Sequence, residues 1–382
     1  MDVTILMPCL NESETLALCI NKAKQWLKKS KLKGEILIAD NGSTDGSQSI
    51  AKKLGARVVP VSERGYGSAL YYGTLSAKGQ CIIMGDSDDS YDFSRLDPFV
   101  TALKKGADLV MGNRFLGGIE KGAMPWKNRY IGNPILTFIG KLLFSCPSGD
   151  FHCGLRAVNK KSFLKMDLRT SGMEFASEMV IKANLLDMKI VEVPTTLSRD
   201  GRNRPPHLRP WRDGWRHLRF MLLLSPRWLF LYPGLLIFIL FGLGYLMLLT
   251  GPLKIGTIEF SFNTLFMFQA GTIIGFLFLF FAVIVRIIGA KEGLLPAHKL
   301  IEKLRNSCIL EAGSFSGVAI FTCGLLYALE LVNQWSKVGF GSFPDIGLLR
   351  LASLSTFMML LGSMIFLFSL LVGFLSLPTR RN

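Results

Sequence analysis

The sequence predicts an α/β domain built on a mainly parallel sheet, followed by four transmembrane α-helices. Three observations carry that reading. In the N-terminal half, apolar strand-like runs alternate with amphipathic helical stretches. Several of those runs end in a polar, acidic turn, and four long apolar stretches crowd the C-terminal end. With 382 residues, 49% of them hydrophobic and 28 of them Phe, the chain has material for one sizeable soluble domain and a membrane part besides.

The first apolar run, DVTILMPCL, reads as a strand ending at Pro8, and the stretch behind it places Leu16, Ile20, Ala23 and Leu27 on one helical face. GEILIADNGSTDGSQSIAKKLG then reads strand, polar turn, helix. ARVVPV and the helix-like GSALYYGTLSAK precede QCIIMGDSDDS, and ADLVMGNRF supplies a further strand. Alternation of this kind implies helices on both faces of the sheet, where ligands bind beyond the carboxyl ends of the strands. The unusual residues sit there. Asn11 and Glu12 follow the first strand, Asp40 and Asn41 the second, Asp86 and Asp88 a later one.

The apolar stretches beginning at Trp228, Leu265, Ile309 and Leu348 each reach the roughly 20 residues needed to cross a bilayer as a helix, the third carrying Glu311 and Glu330 near its ends. Basic residues set the expected orientation. The connector after the second span holds Arg286, Lys291, Lys299, Lys303 and Arg305, and the chain ends TRRN, whereas the other two connectors hold only Lys254 and Lys337. By the positive-inside rule, residues 1–227, the middle connector and the tail face the cytoplasm of a multi-pass cell-membrane protein. The Met1 end shows no charged n-region with an apolar h-region, which agrees. The seven cysteines show no framework spacing, as expected in a reducing compartment. Cys146, His152 and Cys153 lack a fourth nearby zinc ligand and read as ordinary residues.

The stretch MGDSDDSYDF crowds Asp86, Asp88, Asp89 and Asp92 behind an apolar strand in a chain of formal net charge +16. A solvated turn with capping Asp and Ser is one explanation. The other is a D-x-D pair that directs two carboxylates to one hard cation, which in turn neutralises phosphate. A metal-bridged anionic substrate accounts for an acidic pocket in a basic domain.

The segments MPCLNE, IADNGSTDGS, GYGSAL, GDSDD and GNRF, in this order, resemble the catalytic domain of glycosyltransferase family 2. With the membrane helices behind it, the chain looks like a polyprenyl-phosphate hexosyltransferase of the dolichol-phosphate mannose or glucose synthase type. The resemblance covers about residues 1–220 and implies a nucleotide-sugar-binding, Rossmann-like fold of the GT-A type. It divides the chain into a catalytic domain at 1–208, an interfacial amphipathic segment at 209–227 and a four-helix transmembrane domain at 228–382. Carried over residue by residue, it places Pro8, Asn11, Glu12 and Asp40 around the base and ribose, and Gly65 and Gly67 where a close backbone approach is needed. It also implies that Asp86 and Asp88 hold Mg²⁺ or Mn²⁺ against the diphosphate, and that Arg114 faces the acceptor phosphate. Two departures stand out: the usual DDGS is DNGS, with Asn41, and the D-x-D-x-Q pattern ends in Ser90. A dinucleotide fingerprint is the competing reading of the glycines, but Leu70 stands where its third Gly belongs.

None of the four histidines sits in a motif that suggests a general base, and GMEFASEM lacks the acidic pair typical of sugar-hydroxyl acceptors in this superfamily. A phosphate monoester acceptor, with a second pKa near 6, needs little help to attack. Catalysis then reduces to positioning and charge, with Asp88, Arg114 and Arg129 as the expected catalytic residues. Lys127 joins Arg114 and Arg129 on the acceptor phosphate. Arg156 adds charge nearby. Arg199 and Arg202, with Arg204, resemble the family's basic loop near the diphosphate. Beyond them Trp211, Trp215, Leu218 and Leu222 form one stripe and Arg212, Arg216 and Arg219 an adjoining one, as expected for a helix lying on anionic lipid.

The function these readings imply is inverting transfer of a hexose from a nucleotide sugar, UDP-glucose before GDP-mannose, to undecaprenyl or dolichyl phosphate. A processive polysaccharide synthase is disfavoured because RPWRDGW is not a Q-x-x-R-W motif. A non-catalytic carrier or flippase is disfavoured by intact Asp40, Asp86 and Asp88. The partners expected are the nucleotide sugar, the polyprenyl phosphate and a bilayer with anionic lipids. No nucleic acid is expected, since the basic Trp-bearing segment lies directly before a membrane span. A homo-oligomer is left open.

Overall fold

The computed structural model describes residues 1–202, 210–296, 309–341 and 346–377. Arg204, His207, Arg209, Lys299, Lys303 and Arg305 therefore lie outside the described residues, as does the TRRN end. The chain divides into two units, Met1–Leu224 with Gly293–Pro296, and Ser225–Glu292 with Ala297–Asn382. The return of Gly293–Pro296 to the first unit differs from the expected unbroken boundary at 227/228. Leu295 is buried in the soluble core, so the middle connector is not simply a membrane loop.

The first unit runs β1 (Val3–Cys9), α1 (Leu16–Ser30), β2 (Gly34–Asp40), α2 (Ser47–Lys53), β3 (Arg57–Pro60), α3 (Tyr66–Ser76), β4 (Cys81–Met84), α4 (Asp97–Lys104), β5 (Leu109–Asn113), α5 (Arg114–Gly117), α6 (Asn133–Phe144), β6 (Arg156–Asn159), α7 (Lys160–Met166), α8 (Phe175–Leu185), β7 (Ile190–Pro194) and α9 (Pro210–Leu223). The strands form one sheet in the order β3-β2-β1-β4-β6-β5-β7. All pairings are parallel except those of β6, which runs against β4 and β5.

Alternation along β1 divides the interior. Val3, Ile5, Met7 and Cys9 face the layer of α1 and α4, where Cys19, Trp26, Phe99 and Leu103 close the core. Leu6 faces the other layer with Leu70, Phe163, Phe175 and Met179. Both faces are covered, which is why the strands read as almost continuous apolar runs. Strand order reverses at β1, whose successors β2 and β3 lie on one side and β4 on the other. A crevice therefore opens beyond the carboxyl ends of β1, β2 and β4.

The second unit holds α10 (Tyr232–Thr250), a hairpin of β8 (Leu253–Ile255) and β9 (Ile258–Phe260), α11 (Phe262–Lys291), α12 (Ile309–Lys337) and α13 (Ile346–Ser376). Among the described residues, four helices are long and apolar enough to cross a membrane: Arg227–Thr250, Phe262–Lys291, Leu310–Lys337 and Gly347–Ser376. They meet through small residues and satisfied polar groups, since lipid tails offer little hydrophobic drive. Gly317 and Gly362 let α12 and α13 approach backbone to backbone. The Tyr245 hydroxyl and the Gln269 amide both meet Ser353, at 3.2 Å and 2.7 Å to its Oγ. A Cβ at Gly275 would stand 2.5 Å from Phe238 N and 2.6 Å from its Cα, backbone atoms that cannot swing aside. Gly275→Val should therefore lower the melting temperature of the detergent-solubilised protein sharply, overpacking costing about 1–3 kcal/mol or more. Gly251→Ala, where nothing lies within 4 Å, should leave it unchanged.

Candidate active site

Three loops at the strand ends are tied into one wall. Asn11, in a left-handed conformation at φ 59°, accepts from Thr44 N at 2.8 Å through Oδ1, and its own N–H donates to Ser43 Oγ at 2.9 Å. Glu12 N donates to Ser47 Oγ, Thr15 Oγ1 to Ser87 O, and Ser87 Oγ to the Pro8 carbonyl. The loops after β1, β2 and β4 thus hold one another in register. Between the first two opens a cleft of about 310 Å³ lined by Asn11, Glu12, Thr44, Asp45 and Arg202. Asp40, at the end of β2, accepts through Oδ2 from Gly42 N, Ser43 N and Gln48 Nε2, while its buried Oδ1 has no hydrogen-bond partner.

The acidic turn separates into two parts. Asp89 accepts from Lys22 Nζ at 2.7 Å, and Asp92 caps Ser94 and pairs with Arg95, so these two serve the turn itself. Asp86 and Asp88 serve the crevice. Asp86 lies against the Gly154 backbone, where a Cβ would come within 2.3 Å of its Oδ2. Burial and the neighbouring Asp88 push its pKa up to about 6, against the pull of Tyr66, Arg156 and Arg202. Asp88 accepts through Oδ1 from Ser90 N and Ser90 Oγ and through Oδ2 from Arg202 Nη2 at 3.0 Å. Two hard carboxylates that repel each other suit a divalent cation completed by phosphate oxygens. Among the described residues no group of three such ligands occurs, so the protein alone does not make a closed metal cage.

The basic residues do not all fall where expected. Arg202 reaches the centre and pairs with Glu12 and Asp88, both at 3.0 Å. Arg199 does not; its Nε donates to the Lys121 carbonyl. Arg114 does not face open space either. It is buried, and its Nε and Nη2 grip the two oxygens of buried Asp150 at 2.7 Å each, because a guanidinium without a carboxylate there would be a costly buried charge. Arg129 is half-buried over the Tyr130 ring with Nη1 3.4 Å from Ile119 O, and Lys127 is exposed. Gly65 and Gly67 do make a close approach, but to the chain itself. Cβ atoms there would stand 2.1 Å from Ser171 O and 2.5 Å from Thr170 O, and Gly65 has φ 142°.

Residues 4–166 match the family described as Glycosyl transferase family 2, and residues 283–376 match the Glycosyltransferase family 2 C-terminal transmembrane region. The chain is similar to the low-salt glycan biosynthesis hexosyltransferase Agl6 of Haloferax volcanii, 33% identical over 90% of this chain and 82% of that protein. The chain belongs to glycosyltransferase family 2. It is also similar to the dolichyl-phosphate hexose transferase of Haloferax volcanii, 30% identical over 42% of this chain and 69% of that protein. Among solved structures it resembles glucosyl-3-phosphoglycerate synthase from Mycobacterium tuberculosis in complex with Mn²⁺ and UDP-glucose, at 21% identity over 58% of this chain and 78% of that one, with a TM-score of 0.45.

Two features of this glycosyltransferase escaped the sequence reading. The first is the surroundings of Asp86, where Tyr66 lowers its pKa and Arg156, expected near the acceptor phosphate, is instead fully buried, spends its donors on the Cys153 and Ala176 carbonyls and lends Asp86 its charge. The apolar face of α6 is the second. Ile131, in the helical turn just before α6, and Ile135, Phe138 and Leu142 on it stand exposed at i, i+4, i+7 and i+11, a spacing visible in the sequence. Helix α6 packs beside α9, whose Trp211 and Trp215 are 83% and 60% exposed while Asp213, His217 and Met221 are buried. Arg216 turns from lipid to protein, pairing with Glu174 at 2.8 Å. His217 meets His152 through Ser177, and burial holds both rings below the ordinary histidine pKa, that of His217 at about 4. The six described cysteines are free.

Because the Asp86 carboxyl titrates higher in the fold than the ordinary 3.8, its charge works against folding. The cost is absent below about pH 4 and complete above about pH 6. Asp86→Asn should therefore raise the melting temperature of the metal-free protein by about 2–4 °C at neutral pH, with no gain at pH near 4. Mn²⁺ added together with a nucleoside diphosphate should stabilise the parent protein and not the variant. An Asn variant less stable than the parent at neutral pH would contradict the repulsion.

Proposed function

We propose that this glycosyltransferase moves a hexose, with inversion, from a nucleotide sugar to a polyprenyl phosphate at the cytoplasmic membrane face, giving a β-linked lipid monophosphate sugar. The observation that carries the reading is the pairing of Asp86 and Asp88 just beyond β4, with Asp88 joined through Arg202 to the cleft built by the β1 and β2 loops. UDP-glucose is the favoured donor and GDP-mannose the next. The unpartnered Oδ1 of Asp40 suits the N–H edge that uracil and guanine both present, so it supports a nucleotide without choosing between them. Asp86 and Asp88 would hold Mg²⁺ or Mn²⁺, which when bound neutralises charge on the departing diphosphate.

The attacking group is the lipid phosphate itself. Four candidate bases are engaged elsewhere: Asp89 by Lys22, Asp92 by Ser94 and Arg95, Asp150 by Arg114, and Glu178 by Lys182 and the Arg169 and Thr170 amides. Arg129, with Lys127, is left to orient the acceptor, and Arg114 acts through the Asp150 loop. The names of the two Haloferax relatives, a hexosyltransferase and a dolichyl-phosphate hexose transferase, support a lipid-phosphate acceptor for this chain as well. The exposed faces of α6 and α9, both aromatic and flanked by Lys127, Arg129, Lys141 and Arg219, would seat the domain on anionic lipid.

Labelled nucleotide sugars offered to membranes, with the lipid product identified by mass, test the reading directly. Asp88→Asn should lower kcat/KM by about 100-fold or more, and chelator should abolish turnover until Mg²⁺ or Mn²⁺ is restored. Full activity in excess chelator would overturn the metal. At saturating metal and donor, which remove the Asp86 titration, the pH profile should rise with an apparent pKa near 6 that belongs to the acceptor. A thiophosphate acceptor should shift that limb to lower pH; a limb that stays in place belongs to the protein and excludes direct attack.

Seating is a separate expectation. Replacing Phe138, Trp211 and Trp215 by Ser should weaken turnover of a long polyprenyl phosphate at least about tenfold while sparing a short, detergent-soluble one. Equal losses on both acceptors would place these residues in the site.

A further inference from the structure

Residues Ser198–Arg202 lie as a strap across the acidic turn. Ser198 N donates to Ser90 O at 2.9 Å and Gly201 N to Asp88 O at 3.0 Å, so the strap follows the turn's own backbone. At its end the Arg202 guanidinium, one-tenth exposed, divides its nitrogens among three carboxylates. Nη1 meets Glu12 Oε1 and Nη2 meets Asp88 Oδ2, both at 3.0 Å, and Nε meets both oxygens of Asp200 at 2.8 Å. The remaining oxygen of Asp88, Oδ1, accepts from Ser90 N and Oγ. Both oxygens of Asp88 thus already accept hydrogen bonds, and a metal ion at Oδ2 would stand beside the Arg202 guanidinium, a like charge that favours withdrawal of the arginine.

Asp200, two residues before Arg202 on the same strap, pairs with its Nε through both oxygens, a partner that does not depend on Asp88 or Glu12. A nucleoside diphosphate in the adjoining cleft would offer Arg202 two phosphate oxygens in the bidentate geometry that its fork matches. We propose that Arg202 is the resident counter-cation of Asp88 and Glu12, exchanged for the divalent metal when the diphosphate binds, so that metal binding at Asp88 is conditional on nucleotide. The proposal rests on the reading of Asp86 and Asp88 as the metal carboxylates. It has a functional consequence: the site acquires its divalent cation only when there is a diphosphate to neutralise.

The test is Mn²⁺ binding to the purified full chain, followed by electron paramagnetic resonance without nucleotide and with UDP or GDP. The parent protein should bind Mn²⁺ weakly alone and about tenfold or more tightly with the diphosphate that fits, a coupling of ordinary allosteric size. Arg202→Gln should bind Mn²⁺ alone about tenfold more tightly than the parent and gain less from nucleotide. Arg202→Lys, which keeps the charge but lacks the fork that bridges Glu12 and Asp88, should gain less than Gln and guards against a Gln variant that does not fold. If neither variant binds Mn²⁺ alone more tightly than the parent, the exchange is wrong, even where nucleotide-dependent binding persists. Asp88→Asn separates that outcome from failure of the underlying reading: it should lose Mn²⁺ with and without nucleotide, and retention of nucleotide-dependent Mn²⁺ would displace the metal from Asp88 altogether.

Discussion

The candidate site depends on two carboxylates one residue apart on the turn that follows β4, where desolvation and the neighbouring Asp88 both act on Asp86. Left alone they would disfavour the fold, and each neighbour answers that cost in part. Tyr66 and buried Arg156 draw the Asp86 pKa down, Ser90 donates to Asp88, and Arg202 pairs with it. What remains is a pKa near 6 for Asp86, a residual penalty that a dication can relieve. A site that costs stability when empty and regains it on binding is a common signature of function.

The fold was legible because it rests on local patterns. Every strand from β1 to β5 was marked by an apolar run and closed by a polar turn, and the four membrane helices by length and composition alone. The antiparallel β6 was not visible, since RAVN is short and carries no period, and its direction is set by the loop that brings Asp150 back to Arg114. The return of Gly293–Pro296 to the soluble unit was equally silent, being a tertiary contact made by Leu295.

The centre of the site was legible for a different reason: strand ends in a parallel sheet converge, so residues placed after β1, β2 and β4 must meet. Asn11 and Asp40 are joined through Ser43, and Glu12 and Asp88 through Arg202. What sequence does not carry is which arginine meets which acid. Nothing in GNRF announces that Arg114 will be consumed by Asp150, and nothing in SRDGRNR distinguishes Arg202, at the centre, from Arg199, on the Lys121 carbonyl. The glycines of GYGSAL were read as making room for a ligand. They make room for the Thr170–Gly172 backbone, and the loop so fixed delivers Tyr66 to Asp86.

The two departures from the family pattern become intelligible on the same terms. Asn41 donates through Nδ2 to the Val61 and Glu63 carbonyls, at 3.2 Å and 2.8 Å, and accepts from Gly65 N at 2.7 Å through Oδ1. An aspartate could accept the last bond but would set a carboxylate against two carbonyls, so here the amide is required by the loop that carries Gly65 and Tyr66. The departure leaves Asp40 untouched and tightens the support of Asp86. Ser90 works in the opposite direction. Where a longer amide could extend outward, the short hydroxyl stays on Asp88 Oδ1 and fixes that carboxylate so that Oδ2 points at Arg202. If Asp88 holds a metal as proposed, this short side chain adds no ligand of its own, and more of the coordination would fall to the diphosphate, the condition under which an arginine could hold the place until nucleotide binds.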